Sequence, residues 1–220
     1  MVSLVSFFFY KKQKKERFGN SLGYAEVDED YIEPKVIPNF VSKEEADYIM
    51  KNTKDKFSKS YVLSGLDSEI RKSETAWLEK DDPVVEKIVK RVCEMGDYSF
   101  ENAEDLQVVR YGPGGYYKPH HDSCGDDNDD CRNFFKSGGH RILTVLIYLN
   151  DGFEGGETRF ENLDMNIKPP KYSAIKFYPL DQMEYQCHPK ALHGGNPLKS
   201  GTKIIANVWI RERKFTPQPL

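Results

Sequence analysis

The chain of 220 residues carries a net charge of −3 at pH 7, with 38% hydrophobic residues, 30% charged residues and 13 each of Tyr and Phe. This aromatic-rich composition is typical of a soluble globular protein and excludes an intrinsically disordered chain. The slightly acidic balance argues against a nucleic-acid-binding protein, because such proteins present a basic surface to the phosphate backbone. The length favours one domain with one substantial core.

Residues 1–34 are expected to form an N-terminal arm. They contain one continuous apolar run, residues 2–10, which is about half as long as a membrane-spanning helix. A basic cluster follows this run, whereas in a signal peptide the basic residues come first. We therefore expect a terminal strand or arm and no stable membrane span, with a shortened membrane anchor as the alternative.

Two amphipathic helices are predicted next. The first covers residues 42–57, where Ser42 and Glu45 form a capping-box signal. The second covers residues 83–95 and begins after Asp82, an N-cap residue followed by proline at the first helical position. Apolar residues recur at helical spacing in both segments, so both helices are expected to pack against the core.

Beyond these helices the pattern changes to short β-branched and aromatic runs separated by Gly, Pro, Asn and Asp, which is typical of strands joined by turns. With an earlier short strand at 35–40, the predicted strands are 106–111, 116–122, 141–149, 156–160, 173–179 and 203–210. This order favours a sandwich or jelly-roll barrel. The acidic segment 125–130 lacks the ligand pattern of an EF-hand and is expected to be a solvated loop.

Four cysteines are too few for a disulfide scaffold, and no Cys-x-x-Cys zinc pair is present. Cys124 and Cys131 flank the acidic segment and could pair in an oxidising compartment. The sequence has no Asn-x-Ser/Thr sequon to support a secretory protein. We therefore expect free thiols and a cytoplasmic location, with the endoplasmic reticulum or another secretory compartment as the alternative.

A candidate metal site begins at His120-His121-Asp122. In an extended strand, residues two apart project to the same face, so His120 and Asp122 can converge on one metal while His121 points away. Two histidines and one carboxylate form the facial triad of non-haem Fe(II) oxygenases, which leaves coordination positions open. The third ligand must be a distant histidine.

His193 is the best candidate for that ligand because it precedes a turn and a strong final strand, and His188 and His140 are its competitors. The final strand begins with Lys203. A single Lys at the start of a strand is usually a surface residue. Here the turn could bring it back beside the metal position, where it could pair with an anionic cosubstrate.

Taken together, these motifs resemble the catalytic core of the prolyl 4-hydroxylase family of Fe(II)/2-oxoglutarate-dependent dioxygenases. In chain order, the matching positions are Tyr111, His120-x-Asp122, Arg141-x-x-Thr144-x-Leu146-x-Tyr148-Leu149, Gly155-Gly156-Glu157-Thr158, His193-x-Gly195, Lys203 and Trp209. The likeness covers residues 35–213, which we assign to one dioxygenase domain followed by a tail at 214–220. It implies an α+β, mainly β fold, a double-stranded β-helix (jelly-roll) core with N-terminal packing helices.

The resemblance also implies roles for individual residues. The expected Fe(II) ligands are His120, Asp122 and His193, which with Lys203 make up the expected catalytic residues. The expected 2-oxoglutarate contacts are Lys203 and the hydroxyls of Tyr111 and Thr144. The expected substrate contacts, for which ordinary packing is the alternative, are Tyr117, Arg141, Trp209 and Arg211.

The implied reaction is hydroxylation of peptidyl proline in Pro-rich or collagen-like sequences, with 2-oxoglutarate and O₂ as cosubstrates and succinate and CO₂ as products. Ascorbate is implied as the reductant that restores oxidised iron. A polyproline II peptide fits this class because such segments bind to aromatic grooves. The alternatives are an oxygenase of the same type acting on lysyl or free amino-acid substrates, and a non-catalytic jelly-roll binding module.

Overall fold

The computed structural model describes residues 31–61, 67–125, 128–181 and 186–217. The apolar run and basic cluster of the predicted N-terminal arm lie outside the described residues. The described part of the chain folds into three α-helices, three single-turn 3-10 helices and fourteen strands. The α-helices are α1 (Lys43–Thr53), α2 (Pro83–Cys93) and α3 (Asp129–Lys136). The strands are β1 (Lys35–Ile37), β2 (Ser58–Lys59), β3 (Arg71–Lys72), β4 (Glu74–Leu78), β5 (Leu106–Tyr111), β6 (Tyr116–His120), β7 (Arg141–Tyr148), β8 (Phe153–Gly155), β9 (Thr158–Phe160), β10 (Met165–Ile167), β11 (Ala174–Phe177), β12 (His193–Gly195), β13 (Leu198–Gly201) and β14 (Lys203–Arg211).

The strands form two antiparallel sheets that pack face to face, which confirms the predicted mainly β, jelly-roll fold. The large sheet has seven strands in the order β1-β11-β7-β14-β5-β4-β2, and the small sheet has five in the order β10-β9-β12-β6-β3. A separate pair, β13 and β8, adjoins them. The central strands of the large sheet are distant in sequence, so the site between the sheets gathers residues from across the chain.

The two faces of the large sheet have different tasks, because alternate residues of a strand point to opposite sides. On β14, the residues that pack in the cluster formed with α1 and α2 are Ile204, Ala206, Val208 and Ile210. The residues between them that line the cavity between the sheets are Lys203, Ile205, Asn207 and Trp209. Strand β14 thus contributes alternate side chains to the hydrophobic core and to the cavity.

Both predicted helices are present and begin at the predicted caps. The Ser42 hydroxyl accepts from the Glu45 amide, and the Glu45 carboxylate accepts from the Ser42 amide, so the capping box is complete. The Asp82 carboxylate accepts from the amides of Val84 and Val85 at the start of α2. Helix α1 ends at Thr53, four residues before the predicted end at residue 57.

The structure differs from prediction around residues 116–160. Strand β6 ends at His120, so Asp122 follows the strand instead of lying within it. The predicted strand 156–160 is the shorter strand β9, which begins at Thr158 because Gly155 and Gly156, where the preceding strand β8 ends, adopt positive φ angles of 70° and 66°.

A larger difference is helix α3, which begins inside the segment expected to be a solvated loop. Asn128 caps it by accepting from the Cys131 amide. The structure also joins Cys124 and Cys131 in a disulfide, so the expectation of free thiols at these two positions is wrong. No helix among the described residues is long and apolar enough to cross a membrane.

Candidate active site

Three predicted metal ligands meet between the sheets. His120 ends β6 and His193 begins β12, and the two residues are directly paired in the antiparallel ladder. Asp122 follows two residues after His120. One donor atom from each side chain lies within 4.8 Å of the other two, and the carboxylate oxygens of Asp122 lie 3.8 Å from the Nε2 atoms of both histidines.

The backbone fixes the orientation of both imidazole rings. His120 Nδ1 lies 2.8 Å from the carbonyl oxygen of Lys118, and His193 Nδ1 lies 2.9 Å from that of Ala191. Because a carbonyl can only accept, Nδ1 carries the hydrogen in each ring, and the lone pair is on Nε2, which faces the cluster. Burial, followed by the neighbouring His193, lowers the pKa of His120. The ring is therefore neutral at pH 7, the form that binds metal.

The Asp122 carboxylate is held in a similar way. Its Oδ2 atom accepts from the Thr144 hydroxyl at 2.7 Å and from the indole nitrogen of Trp209 at 3.1 Å. Burial alone would raise the pKa of this carboxyl, but the two histidines, Arg141 and the Thr144 hydrogen bond outweigh it and lower the pKa. An ionised carboxylate with two fixed donors is ready to bind a cation.

The donor set fits Fe(II). Two imidazole nitrogens and one carboxylate oxygen are the ligands of the facial triad, which would leave further coordination positions open for cosubstrate and O₂. The two competing histidines have other contacts. His140 Nδ1 lies 2.9 Å from the Ser123 hydroxyl, and His188 stacks on Tyr31 and accepts from the Lys190 amide. His121 is also outside the cluster.

Lys203 is a buried cation in the same cavity, which has a volume of about 400 Å³. Its ammonium donates to the carbonyl of Gly156 at 2.6 Å and lies 5.5 Å from the ring of Tyr111 and 4.9 Å from that of Tyr148. No carboxylate of the described residues lies within ion-pair distance. Burial lowers the pKa of Lys203 to about 7. A buried ammonium without an anion is unstable by itself, so it marks a site for an anionic ligand.

Comparison with known proteins agrees with this geometry. Residues 106–211 match the family model of the 2OG-Fe(II) oxygenase superfamily. The "Putative prolyl 4-hydroxylase" of Acanthamoeba polyphaga mimivirus is 46% identical, over 90% of this chain and 81% of that protein. Prolyl 4-hydroxylase 1 of Arabidopsis thaliana is 32% identical, over 81% of this chain and 68% of that protein.

This chain belongs to the prolyl 4-hydroxylase family of 2OG-Fe(II) oxygenases. The structure of the viral collagen prolyl hydroxylase of Paramecium Bursaria Chlorella virus-1, in its 2OG complex, is similar over most of this chain. That chain is 34% identical with a TM-score of 0.62, and the match covers 80% of this chain and 94% of that one. This prolyl 4-hydroxylase family member is thus a 2-oxoglutarate-dependent dioxygenase.

Tyr111 and Thr144, the two hydroxyl residues expected to contact 2-oxoglutarate beside Lys203, have different surroundings. Tyr111 pairs with Lys203 across the ladder between β5 and β14, and its hydroxyl interacts with Arg71 and Ser73, while burial raises its pKa. It therefore lies beside the cation, as the resemblance implies. The Thr144 hydroxyl donates to Asp122, so it supports a metal ligand, and its predicted contact with 2-oxoglutarate stays a prediction.

Three predicted substrate residues line the cavity. Tyr117 stacks on the His120 ring with centroids 3.6 Å apart. The Arg141 guanidinium lies 3.5 Å over the Trp209 ring and forms two hydrogen bonds with Glu104, of 2.6 and 2.8 Å. These contacts hold two aromatic rings and one cation around the metal position.

The structure does not support the predicted substrate contact of Arg211, which is absent from the cavity lining. Its side chain is buried and donates to Glu104 at 2.7 Å and to the carbonyls of Phe134 and Gly139 at 3.0 and 2.7 Å. Burial lowers its pKa to about 10. All of these contacts are internal, so Arg211 stabilises the wall behind the site.

Sequence reasoning missed Glu104 and Phe134. Glu104 accepts hydrogen bonds from both Arg141 and Arg211, but an acidic residue beside Asp105 in front of a strand gives no signal of this pairing. Phe134 lines the cavity from helix α3. A signal for α3 did exist, namely Asn128 as N-cap, acidic residues in the first turn and Lys136 in the last.

Proposed function

We propose that this protein hydroxylates peptidyl proline at ring carbon four, with 2-oxoglutarate and O₂ as cosubstrates and succinate and CO₂ as products. The observation that carries the proposal is the buried ammonium of Lys203, which has no carboxylate of the described residues within ion-pair distance, in one cavity with the triad of His120, Asp122 and His193. The printed names of the relatives, which are prolyl 4-hydroxylases, support the choice of substrate.

His120, Asp122 and His193 would hold the iron through Nε2, a carboxylate oxygen and Nε2. Bound Fe(II) would supply the redox chemistry that activates O₂ and couples it to the oxidation of 2-oxoglutarate. The protein's contribution is to keep both Nε2 lone pairs and the carboxylate aimed at one point, through the backbone carbonyls and the Thr144 and Trp209 donors.

Lys203 would bind the distal carboxylate of 2-oxoglutarate, with the Tyr111 hydroxyl nearby. The ammonium is desolvated, and an anion would satisfy it in a low-dielectric setting where the attraction is strong. The carbonyl of Gly156 already accepts one of its three hydrogens, which fixes the direction of the other two. This arrangement supports a dianionic ligand that spans from the ammonium to the metal position.

An extended peptide fits the cavity better than a free amino acid. Tyr61 and Trp77 line the cavity and yet are 60% and 47% exposed, so the cavity opens to solvent along two aromatic side chains. Proline rings in a polyproline II chain can stack on such surfaces while the backbone stays solvated. The lysyl and free amino-acid alternatives have no comparable observation in their favour.

Ascorbate would serve as the reductant that restores oxidised iron after uncoupled turnover. The intact triad and Lys203 argue against a non-catalytic binding module, which has no need for either. Omitting ascorbate from the assay should shorten the productive phase without changing the initial rate.

The test is succinate release by the protein with Fe(II), 2-oxoglutarate, O₂ and a panel of peptides, namely Pro-rich, collagen-like, lysine-rich and proline-free. We expect release to depend on the proline-containing peptides and to be lost in His120→Ala but retained in His121→Phe. Stimulation by the lysine-rich peptide alone, or by none, would contradict the prolyl assignment.

A further inference from the structure

Helix α3 follows the metal-ligand segment and reaches the cavity through one aromatic side chain. We propose that the Cys124–Cys131 disulfide is a positioning element, which holds Phe134 and the arginines behind it against the peptide side of the cavity. The inference rests on the proposed function, because it assigns the disulfide to the peptide side of that same site. It leaves 2-oxoglutarate binding to other residues.

Helix α3 depends on outside support. It has eight residues, and helices shorter than about 12 residues are marginal in water without packing or cross-links. Its two buried residues are Cys131 and Phe134. Together with Cys124 they form a small buried cluster, separate from the two main cores, against which Phe135 packs. With so little apolar packing, the start of the helix is restrained by the covalent bond to Cys124 and by the Asn128 cap.

Phe134 lies one helical turn beyond Cys131, so the disulfide fixes the position of its ring. The guanidinium of Arg211 lies 4.1 Å over this ring and that of Arg141 lies 5.3 Å from it. Arg211 also donates to the Phe134 carbonyl at 3.0 Å. The Arg141 guanidinium in turn lies 3.5 Å over the ring of Trp209, which lines the cavity. A continuous series of contacts therefore leads from the disulfide through Phe134 and Arg141 to the cavity wall.

The groups on the metal and cosubstrate side are held by other elements. The imidazoles of His120 and His193 are fixed by backbone carbonyls, the Asp122 carboxylate by β7 and β14, and Lys203 by Gly156. None of these contacts comes from α3 itself, and the contact series from α3 reaches the metal ligands only through Arg141 and Trp209, which donate to Asp122. Loss of the disulfide should therefore affect the peptide and leave the cosubstrate almost unchanged.

The experiment compares the wild type with the Cys124→Ser/Cys131→Ser double variant. Cys187→Ser is the matched control, because Cys187 lies beside Gly125 next to the same segment but outside the disulfide. Phe134→Leu is a second test variant that keeps the disulfide and removes only the ring. Mass spectrometry after alkylation without reduction first establishes whether Cys124 and Cys131 are linked in the wild type.

We expect the KM for a proline-containing peptide to rise about tenfold in the double variant and in Phe134→Leu, because the wall must be ordered again when the peptide binds. The KM for 2-oxoglutarate should stay near wild type in both, and in the double variant the peptide-independent release of succinate should also stay near wild type, which shows that its site is folded. Cys187→Ser should behave like the wild type throughout.

Three results would overturn the proposal. Alkylation of both Cys124 and Cys131 in the unreduced wild type would remove its basis, and an unchanged peptide KM in both test variants would remove its consequence. Equal increases in the KM for peptide and for 2-oxoglutarate would show a general structural role. A wild type that oxidises none of the peptides overturns the proposed function itself, and that result is visible before any variant is compared.

Discussion

Each residue of the triad has a partner that fixes its orientation, and Thr144 is the partner that the sequence assigned differently. Its hydroxyl donates to Asp122 at 2.7 Å, so Thr144→Val removes a donor from a metal ligand with little change in shape. We expect the Fe(II) concentration for half-maximal activity to rise about tenfold, the usual range for such partners, with little change for 2-oxoglutarate. The opposite pattern, measured in the same titrations, would return Thr144 to the cosubstrate site.

The buried ammonium of Lys203, which serves to bind an anionic ligand, lowers the stability of the ligand-free folded protein. Its pKa in the folded protein is about 7, below the ordinary value of 10.5, so between these values the unfolded chain binds more protons and stability rises with pH. Below pH 7 both states are protonated and the full cost of burying the charge remains.

We therefore expect Lys203→Met, which replaces the ammonium with an apolar side chain, to stabilise the ligand-free protein at about pH 6 by roughly 2–4 kcal/mol while abolishing turnover. Urea unfolding at about pH 6 and about pH 10 checks this, because the difference between wild type and variant should shrink at the higher pH. A variant less stable than the wild type at the lower pH would mean that the ammonium is well satisfied without ligand.

The same pKa makes cosubstrate binding depend on pH. As pH rises above about 7, Lys203 of the free enzyme loses its proton, and 2-oxoglutarate must then bind together with a proton. The KM for 2-oxoglutarate should rise with pH, at most about tenfold per unit. Lys203→Arg is the control, since a guanidinium stays charged over this range, and any binding that it retains should be independent of pH. A flat profile in the wild type would argue against Lys203 as the anchor.

Among the elements, the beginnings of β5 and β7 and the end of β14 meet at one buried carboxylate. Glu104 pairs with Arg141 on β7 and with Arg211 on β14. Burial raises its pKa, but the two guanidinium groups outweigh that effect and lower it. Glu104 therefore ties together three strands that border the cavity.

Replacing Glu104 with Gln would leave two guanidinium groups without a negative partner, which costs about 3–5 kcal/mol when the charges are buried. Glu74→Gln is the matched control, because Glu74 pairs with Arg110 in a half-exposed bridge and such pairs contribute about 1 kcal/mol or less. Urea unfolding of both variants measures the difference. Equal losses of unfolding free energy in the two variants would show that the buried Glu104 ion pairs contribute no more to stability than a half-exposed pair.

The elements also show what the sequence could predict. Strong periodicity and complete caps placed α1, α2 and strands such as β5, β7 and β14 within a few residues, because local signals and packing agree there. Helix α3 was missed because its signal is short and acidic, and its support comes from Cys124 and Arg211. The role of Arg211 was misjudged because its partners, Glu104 and Gly139, are contacts that only the folded chain creates.

For the whole molecule, the sequence placed the triad correctly because the spacing of His120 and Asp122 and the turn after His193 are local features. The cavity between the sheets, by contrast, depends on strand order, which sequence spacing does not determine. The bounds of the domain at 35–213, the N-terminal arm and the cytoplasmic location stay predictions. Among the described residues, α1 and α2 pack on one face of the large sheet, and the site lies on the other face, where α3 borders it.

The central claim is that this molecule oxidises peptidyl proline with 2-oxoglutarate as cosubstrate. The most direct measurement is a reaction of the whole chain with a Pro-rich peptide under isotopically heavy O₂, followed by mass spectrometry of the peptide and of succinate. We predict one heavy oxygen atom on ring carbon four of proline, one in succinate, and equal amounts of the two products. Heavy oxygen in succinate without any in the peptide proline, or oxygen on another residue, would contradict the claim.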